Sequence, residues 1–299
     1  MKHYLEISQL SQHEITALIQ RALYFKTHSV YPCYPKDIVA HLFYENSTRT
    51  RVSFELAAKH LSMAVVNLDL ESSSESKGEV VEDTVNTLAA MGVNLFVIRH
   101  VQEGLPQRLA DLCSEQVRII NAGDGAHAHP SQAMLDLMTI MERKPDLSLL
   151  KIAIVGDIRH SRVANSLQCI CRKLGVGELT LVSPDVWKPT TIHYGRVTAS
   201  LYDGIADADV LICLRVQRER LLASEHLDLA SYRRDYALTC ESLSYAKTDA
   251  MVMHPGPINR GIEIESDVAD GPQSCILQQV RNGVFMRMAI LEAVSSNPN

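Results

Sequence analysis

The chain has 299 residues, of which 46% are hydrophobic and 21% are charged, and its formal net charge at pH 7 is -6. This composition is typical of a soluble globular protein, and the acidic balance does not favour binding to nucleic acid or to a membrane surface. The longest apolar runs, at residues 152–155 and 210–214, are far shorter than the ~20 residues needed to cross a bilayer. Residues 1–6 contain no apolar signal region, so we expect a cytoplasmic protein.

The seven cysteines include no CxxC pair. Cys169 and Cys171 are separated by a single residue, a spacing that does not suit a zinc site. Scattered cysteines in a reducing compartment predict free, buried thiols rather than disulfides or metal ligands.

Short apolar runs alternate with longer helical stretches along the chain. The runs predict strands at residues 38–43, 95–99, 117–121, 152–156, 179–183, 210–214 and 250–253. Helices are predicted at residues 50–61, 82–91, 105–115, 133–144, 162–174 and 284–294. Strands separated by helices favour parallel sheets built from βαβ units. With a boundary near Lys144, we expect two doubly wound α/β domains at residues 1–132 and 146–275, and a C-terminal helix at about 284–299 that packs on the first domain.

Residues 47–51, Ser-Thr-Arg-Thr-Arg, follow the first predicted strand and open a helix. In open α/β sheets ligands bind beyond the carboxyl ends of strands. The unpaired N–H groups and the positive dipole end of a helix start also attract anions. A capped helix with a solvated Arg is the alternative, but capping explains one hydroxyl and not two hydroxyls beside a guanidinium.

Two other segments of the first half follow strands. Arg99 ends a buried strand, where its guanidinium either points into the ligand crevice or reaches solvent. His129 precedes Pro130 at the start of a predicted helix, and a surface His is the simpler alternative. His127 and His129 do not favour a metal site, because no carboxylate or further His follows at ligand spacing.

The second half contains a strand, a turn and a helix at residues 156–166 that resemble a dinucleotide site only superficially. The glycines of G-x-G-x-x-G are missing, and Ile158, Arg159 and Ser161 are too large for the backbone to approach a pyrophosphate. Residues 215–220, Arg-Val-Gln-Arg-Glu-Arg, suggest a solvated charged face, although they directly follow a strand. The Ser-rich residues 72–79 are typical of a polar linker.

Taken in order, these segments resemble the motifs of the aspartate and ornithine carbamoyltransferase family from residue 47 to residue 257. The match includes Ser-Thr-Arg-Thr-Arg at 47–51, the Ser-rich residues 72–79, Arg99, His-Pro-Ser-Gln at 129–132, the segment 156–166, Arg-x-Gln at 215–217 and His-Pro-Gly-Pro at 254–257. The resemblance implies transfer of the carbamoyl group of carbamoyl phosphate to an amine.

Two features favour L-aspartate as the acceptor, which would give N-carbamoyl-L-aspartate and phosphate in pyrimidine biosynthesis. The chain lacks the His-Cys-Leu-Pro and Ser-Met-Gly segments of ornithine enzymes, and it has Arg-x-Gln at 215–217. Ornithine or another amino acid is the alternative acceptor. Gly256 stands where some members have Leu, which removes side-chain contacts there and leaves backbone contacts.

The resemblance also implies a role for each matching residue. Thr50, Arg99 and His129 would stabilise the oxyanion. Carbamoyl phosphate would be bound by Ser47, Thr48, Arg49, Thr50, Arg99, His129 and Gln132. Aspartate would be bound by Lys77, Arg162, Arg215 and Gln217, with backbone contacts from Pro255 and Gly256.

The family's quaternary structure adds further expectations. Ser73 and Lys77 would enter the active site of the neighbouring subunit, so a homotrimer is expected, with each active site between the two domains. The resemblance leaves open an assembly with regulatory or dihydroorotase-like chains. It implies no metal and no organic cofactor.

Overall fold

The computed structural model describes residues 1–68, 79–217 and 227–295. The chain forms two compact units: unit 1 comprises Met1–Leu135 with Val280–Asn299, and unit 2 comprises Asp136–Gln279. Each unit is built on its own parallel β-sheet. The predicted class of two parallel-sheet α/β domains is therefore confirmed.

Unit 1 contains a sheet whose four described strands are ordered β2-β1-β3-β4. The central strands β1 and β3 are mostly buried apolar residues, as expected for a parallel sheet covered on both faces. Leu42, Phe96, Ile98, Leu109 and Ile119 belong to its core. Its elements are α1 (Gln12–His28), β1 (Ile38–Phe43), α2 (Thr48–His60), β2 (Ala64–Asn67), α3 (Val81–Ala90), β3 (Leu95–His100), α4 (Leu105–Leu112) and β4 (Arg118–Asp124), followed by the start of α5 (Pro130–Met141).

Unit 2 contains a sheet whose five described strands are ordered β7-β6-β5-β8-β9. Ala153, Val155, Leu211, Cys213 and Val252 from the central strands belong to its core. Its elements are β5 (Lys151–Val155), α6 (Arg162–Leu174), β6 (Glu178–Val182), β7 (Arg196–Thr198), α7 (Leu201–Ile205), β8 (Val210–Cys213), α8 (Leu229–Tyr236), α9 (Cys240–Leu243), β9 (Met251–Met253) and α10 (Ser266–Ala269), and α11 (Ile276–Val294) follows.

In both sheets the order in which the chain adds strands reverses beside the first strand, which we call the reversal point. In unit 1 the chain passes from β1 outward to β2 and then returns to the other side of β1 as β3. In unit 2 it passes from β5 outward to β6 and β7 and then returns beside β5 as β8. The connections that leave such a pair of strands diverge and open a crevice, which is where open α/β sheets bind ligands.

Each predicted strand is present within three residues of its expected ends, but several elements were missed. The predictions did not include the strands β2 and β7, the helix α1 or the short helices α7, α8, α9 and α10. Helix α11 begins at Ile276 and not at residue 284 as predicted. The prediction was late because Gly283 and the polar residues before it have the composition of a helix boundary.

The cysteine prediction was right about bonding and wrong about burial. All seven cysteines lie within the described ranges and are free, but only Cys171, Cys213 and Cys275 are buried. Cys33 and Cys240 are exposed, since they lie in a loop and at the start of the short helix α9. None of the helices in the described ranges combines the length and apolarity that crossing a membrane requires.

Candidate active site

The N-terminus of α2 lies at the reversal point of unit 1. Ser47 precedes the helix with an extended backbone, and its side chain accepts no capping hydrogen bond from any described residue. The first turn contains no acidic residue, so no carboxylate within that turn offsets the positive end of the helix dipole. Thr50 is buried, whereas Thr48 and Arg49 are exposed. This helix start is therefore suited to bind an anion.

Arg99 lies at the same edge of the sheet, because its partner in the β1–β3 register is Phe43, the last residue of β1. Its Nε atom is 3.3 Å from Glu45 Oε2, and the two side chains are only 13% and 16% exposed. A guanidinium N–H group also donates to the Ala122 carbonyl at 3.4 Å. These contacts hold a half-buried cation beside the connection that leads to α2.

His129 reaches this edge through a turn that is organised by one buried carboxylate, Asp124. The Asp124 side chain accepts hydrogen bonds from the backbone N–H groups of Gly104 and Ala128, both at 3.0 Å, and from Asn121 at 3.3 Å. His129 then precedes Pro130, the first residue of α5, a position at which proline suits a helix start. His129 is 6% exposed and Gln132 is 7% exposed.

His127 contacts the same carboxylate, with its Nδ1 atom 3.2 Å from Asp124 Oδ2. This hydrogen bond, together with the charges of Asp124, Glu6 and Glu103, raises the pKa of His127 to about 9 against the opposing effect of burial. Burial alone would raise the pKa of Asp124, but its hydrogen bonds outweigh burial and the pKa is lowered. The charged pair therefore fixes the turn that precedes His129.

In unit 2, Arg162 lies at the reversal point as the first residue of α6 and is 5% exposed. The Ser161 hydroxyl caps the helix by accepting from the Ala164 N–H at 3.2 Å. The preceding turn is held by the buried Asp157, whose carboxylate is 2.9 Å from His160 Nδ1. A guanidinium is thus placed just beyond the carboxyl end of β5.

Arg215 and Gln217 follow β8, on the other side of the reversal. Leu214 continues the strand pairing by donating its N–H to the Val155 carbonyl at 2.8 Å. The Gln217 amide donates to the His160 carbonyl at 3.5 Å, which links this segment to the turn after β5. Arg215 is half-buried. The sheet therefore brings Arg162, Arg215 and Gln217 to one crevice.

Pro255 and Gly256 form a turn after β9, the neighbour of β8. His254, which is 2% exposed, accepts the Gly256 N–H on Nδ1 at 2.8 Å. Its Nε2 atom lies 3.1 Å from Glu263 Oε1. Because Nδ1 accepts, Nε2 is the nitrogen that donates, to the Glu263 carboxylate.

Two predicted residues, Ser73 and Lys77, lie outside the described residues. The remaining predicted residues fall into two sets, one near the carboxyl ends of the strands of each sheet. Three carboxylates that contact these residues or their immediate neighbours, Glu45, Asp124 and Glu263, were not assigned a role from the sequence. A carboxylate two residues before the Ser-Thr-Arg-Thr-Arg segment, and the Asp within Gly-Asp-Gly, were the available signals.

Comparison with known families defines the class of protein. The family model described as the carbamoyl-P binding domain of aspartate/ornithine carbamoyltransferase matches residues 2–142. The model described as the Asp/Orn binding domain of the same family matches residues 148–294. The chain therefore belongs to the aspartate/ornithine carbamoyltransferase family.

Individual relatives extend over the whole chain. The aspartate carbamoyltransferase catalytic subunit of Legionella pneumophila strain Corby is 68% identical over 294 residues, which are 98% of this chain and 99% of that relative. The catalytic subunit of Coxiella burnetii is 48% identical over 297 residues, or 97% and 95% of the two chains.

Solved structures show the same fold. The aspartate transcarbamoylase of Trypanosoma cruzi in complex with carbamoyl phosphate and aspartate has a TM-score of 0.90 and 30% identity, with 99% of this chain and 97% of that chain covered. The ornithine carbamoyltransferase of Pyrococcus furiosus has a TM-score of 0.86 and 25% identity, with 98% and 97% covered.

Proposed function

We propose that this protein transfers the carbamoyl group of carbamoyl phosphate to the amine of L-aspartate, giving N-carbamoyl-L-aspartate and phosphate in pyrimidine biosynthesis. One observation carries the proposal: Arg49, Arg162 and Arg215 follow the strands that flank the two reversal points, and Arg99 lies near the carboxyl end of another such strand. A dianionic acceptor and a phosphate donor require this concentration of positive charge in an acidic chain. The identity to the Legionella catalytic subunit supports the same reaction.

Unit 1 is the proposed carbamoyl phosphate domain. The phosphate accepts hydrogen bonds from Ser47, Thr48 and Arg49 and from the backbone N–H groups at the start of α2. Thr50, Arg99 and His129 donate to the carbamoyl carbonyl oxygen, and the Gln132 amide contacts the carbamoyl NH₂ group. A neutral His129 suffices as a donor.

Unit 2 is the proposed aspartate domain. Arg162 and Arg215 bind the two carboxylates, and Gln217 assists Arg215. The planar guanidinium presents two parallel N–H donors to a carboxylate, which a Lys ammonium cannot do. The carbonyls of the Pro255–Gly256 turn accept hydrogen bonds from the attacking amine and from the carbamoyl NH₂ group.

The reaction then follows from positioning and charge. The neutral amine attacks the carbonyl carbon, and the resulting oxyanion is stabilised by Thr50, Arg99 and His129. The carbon–oxygen bond to phosphate breaks as the tetrahedral intermediate collapses, and the departing phosphate accepts a proton from the amine. Holding both substrates in attack geometry can lower the barrier by roughly 7–11 kcal/mol.

A carbamoyl-transfer assay that offers aspartate and ornithine in parallel tests the acceptor. We expect carbamoyl aspartate and no citrulline, because Arg215 and Gln217 can both donate to a side-chain carboxylate, and the Arg215 cation repels an ammonium group. Transfer to ornithine at a comparable kcat/KM, or transfer to neither amino acid, would contradict the assignment.

A cytoplasmic homotrimer is the proposed assembly, with Ser73 and Lys77 of each subunit completing the site of the next. Cyclic symmetry suits this arrangement, because each subunit both contributes a segment and receives one. Mixing inactive Arg49→Ala and Lys77→Ala subunits should restore activity, since some trimers would contain one intact site. Inactivity of the mixture after mass spectrometry has shown subunit exchange would place Lys77 in its own subunit's site.

A further inference from the structure

Glu263 is a buried carboxylate that the proposed reaction does not use. It is 1% exposed, and a single oxygen, Oε1, accepts both hydrogen bonds that join it to the 254–259 segment. One comes from His254 Nε2 at 3.1 Å and the other from the Asn259 backbone N–H at 2.6 Å. The second oxygen, Oε2, has no hydrogen-bond partner among the described residues. A buried carboxylate that is only half satisfied is unfavourable for stability alone.

The first contact connects Glu263, through His254, to the Pro255–Gly256 backbone, whose carbonyls are proposed to accept hydrogen bonds from the amine. Glu263 accepts from Nε2 of His254, which leaves Nδ1 to accept the Gly256 N–H at 2.8 Å. That N–H and the Pro255 carbonyl belong to one planar trans peptide unit, so they point in opposite directions. Fixing the N–H toward His254 therefore fixes the Pro255 carbonyl away from the buried imidazole.

The second contact connects Glu263, through Asn259, to residues 215–217, which are proposed to bind the aspartate side chain. Asn259, whose N–H donates to Glu263, also donates from its side-chain amide to the Val216 carbonyl at 3.4 Å. Val216 lies between Arg215 and Gln217 and is anchored by a cluster with Trp187 and Tyr232. One carboxylate is thus connected to the backbone on both sides of the acceptor site.

We propose that Glu263 is a positioning residue that aligns the Pro255 carbonyl through His254 and the Arg215-to-Gln217 segment through Asn259. The proposal rests on the function proposed above. Glu263 does not touch substrate. It sets the direction of a carbonyl that accepts from the amine, and it sets the place of the residues that bind aspartate, while carbamoyl phosphate binding in unit 1 is independent of it.

The test compares Glu263→Ala with Glu263→Gln in the full-length protein, with Glu265→Ala as the matched control. Glu265 is two residues away and forms a more exposed ion pair with Arg233 at 3.0 Å. In Glu263→Ala we expect kcat to fall about 30-fold and KM for aspartate to rise about tenfold. Binding of inorganic phosphate, measured by calorimetry, should change by less than about twofold, because the two hydrogen bonds that the Glu263 carboxylate accepts both come from residues of unit 2.

Glu263→Gln keeps an acceptor oxygen at the same place, so it should stay within about threefold of the unmodified protein in both constants. Glu265→Ala should match the unmodified protein. A purely structural role would lower kcat through loss of folded protein and leave KM for aspartate unchanged. That result, or equal defects in folded Glu263→Ala and Glu263→Gln, would overturn the positioning role.

If Glu263→Ala does not fold, Asn259→Ala tests the second connection alone. It should raise KM for aspartate about threefold with kcat within about twofold, and an unchanged KM would overturn the link to Arg215. If the unmodified protein transfers nothing to aspartate, the proposed function fails before any variant is compared. An active unmodified protein with an equally active Glu263→Ala variant refutes only the positioning role.

Discussion

The arginines of the two sets differ in how they are held, and this difference predicts how they respond to substitution. Arg99 and Arg162 are buried or nearly so, and Arg99 is paired with Glu45. Removing either would leave buried polar groups unpaired and would mix a stability defect with a binding defect. Arg49 is exposed and Arg215 is half-buried, so their substitutions report more directly on ligand binding.

Arg49→Ala should weaken carbamoyl phosphate binding, and Arg215→Ala should chiefly raise KM for aspartate. Each lost charged hydrogen bond removes ~1.5–3 kcal/mol of transition-state stabilisation, which is about a 10- to 150-fold loss in kcat/KM. Steady-state kinetics with each substrate varied in turn measure both effects. Arg118→Ala is a control, because Arg118 is the first residue of β4 and lies at the end of that strand away from the proposed site. Near-normal kinetics in either variant would show that its site is misassigned.

The His127–Asp124 pair predicts a stability change in mildly alkaline solution. The folded state raises the pKa of His127 from 6.5 to about 9. A group whose pKa is raised by folding contributes stability that is fully present below its unfolded pKa and is lost as the pH rises through its folded pKa. The loss should therefore fall between pH 6.5 and about 9.

The melting temperatures of the unmodified protein and of His127→Gln, compared across this range, test the prediction. The difference between them should be largest near pH 6.5 and should shrink toward pH 9. The His127 side chain is 41% exposed, so added salt should also reduce the difference through screening. A difference that is independent of pH would show that His127 stabilises the turn without its charge.

The approach of β5 to β8 at the reversal of unit 2 depends on one glycine. Gly156 has a φ of +132°, and a Cβ atom there would lie 3.0 Å from the Leu214 carbonyl oxygen and 3.2 Å from the Tyr232 hydroxyl. The backbone conformation disfavours any side chain, and the space admits a Cβ atom only if its neighbours move. The crevice that contains Arg162 and Arg215 therefore depends on this position.

Gly156→Ala should lower the free energy of unfolding by about 2–4 kcal/mol and raise KM for aspartate, because Leu214 must move and Arg215 follows it directly. Gly175→Ala is the matched control in the same unit. Gly175 has a φ of +68°, and a Cβ atom added there would meet no neighbouring heavy atom within 4 Å, so only the conformational strain of about 1–2 kcal/mol applies. Denaturant unfolding and kinetics of both variants separate the two effects, and equal losses would contradict the role of the close approach.

Each unit is proposed to bind one of the two substrates, and this division predicts how ligands protect the complete chain from hydrogen exchange. Inorganic phosphate should slow amide exchange around Ser47 to Thr50 in unit 1 only. A compound that joins a phosphonate to aspartate should slow exchange there and also at residues 215–217 of unit 2. At a concentration about 100 times the Kd, the added stability of about 2.7 kcal/mol corresponds to roughly 100-fold slower exchange through openings that release the ligand.

Hydrogen exchange followed by mass spectrometry can resolve these segments. Arg215→Ala should confine the effect of the joined compound to unit 1, since the anchor in unit 2 is lost. Protection of unit 2 by inorganic phosphate alone would contradict the division of substrates between the units.

The family, the parallel-sheet architecture and the order of the motifs follow from sequence alone, because they depend on local patterns. An apolar run such as Ile38–Phe43 predicts a buried strand without knowledge of its neighbours. Pro130 marks a helix start through its fixed backbone angle, and Ser161 marks one through its capping hydroxyl. Elements with weak local patterns, such as the half-exposed strand β2 and the three-residue strand β7, were missed for the same reason.

The strand order within each sheet and the buried carboxylates of the site were decided by tertiary structure. The residues of β3 do not indicate that this strand pairs with β1. This pairing nevertheless brings Arg99 close to the helix that begins after Ser47. Glu45, Asp124 and Glu263 each have contacts with donors on other segments of the chain, which their sequence neighbours alone do not identify. A carboxylate is normally solvated, so its function becomes visible only when folding removes water and leaves particular hydrogen-bond donors in its place.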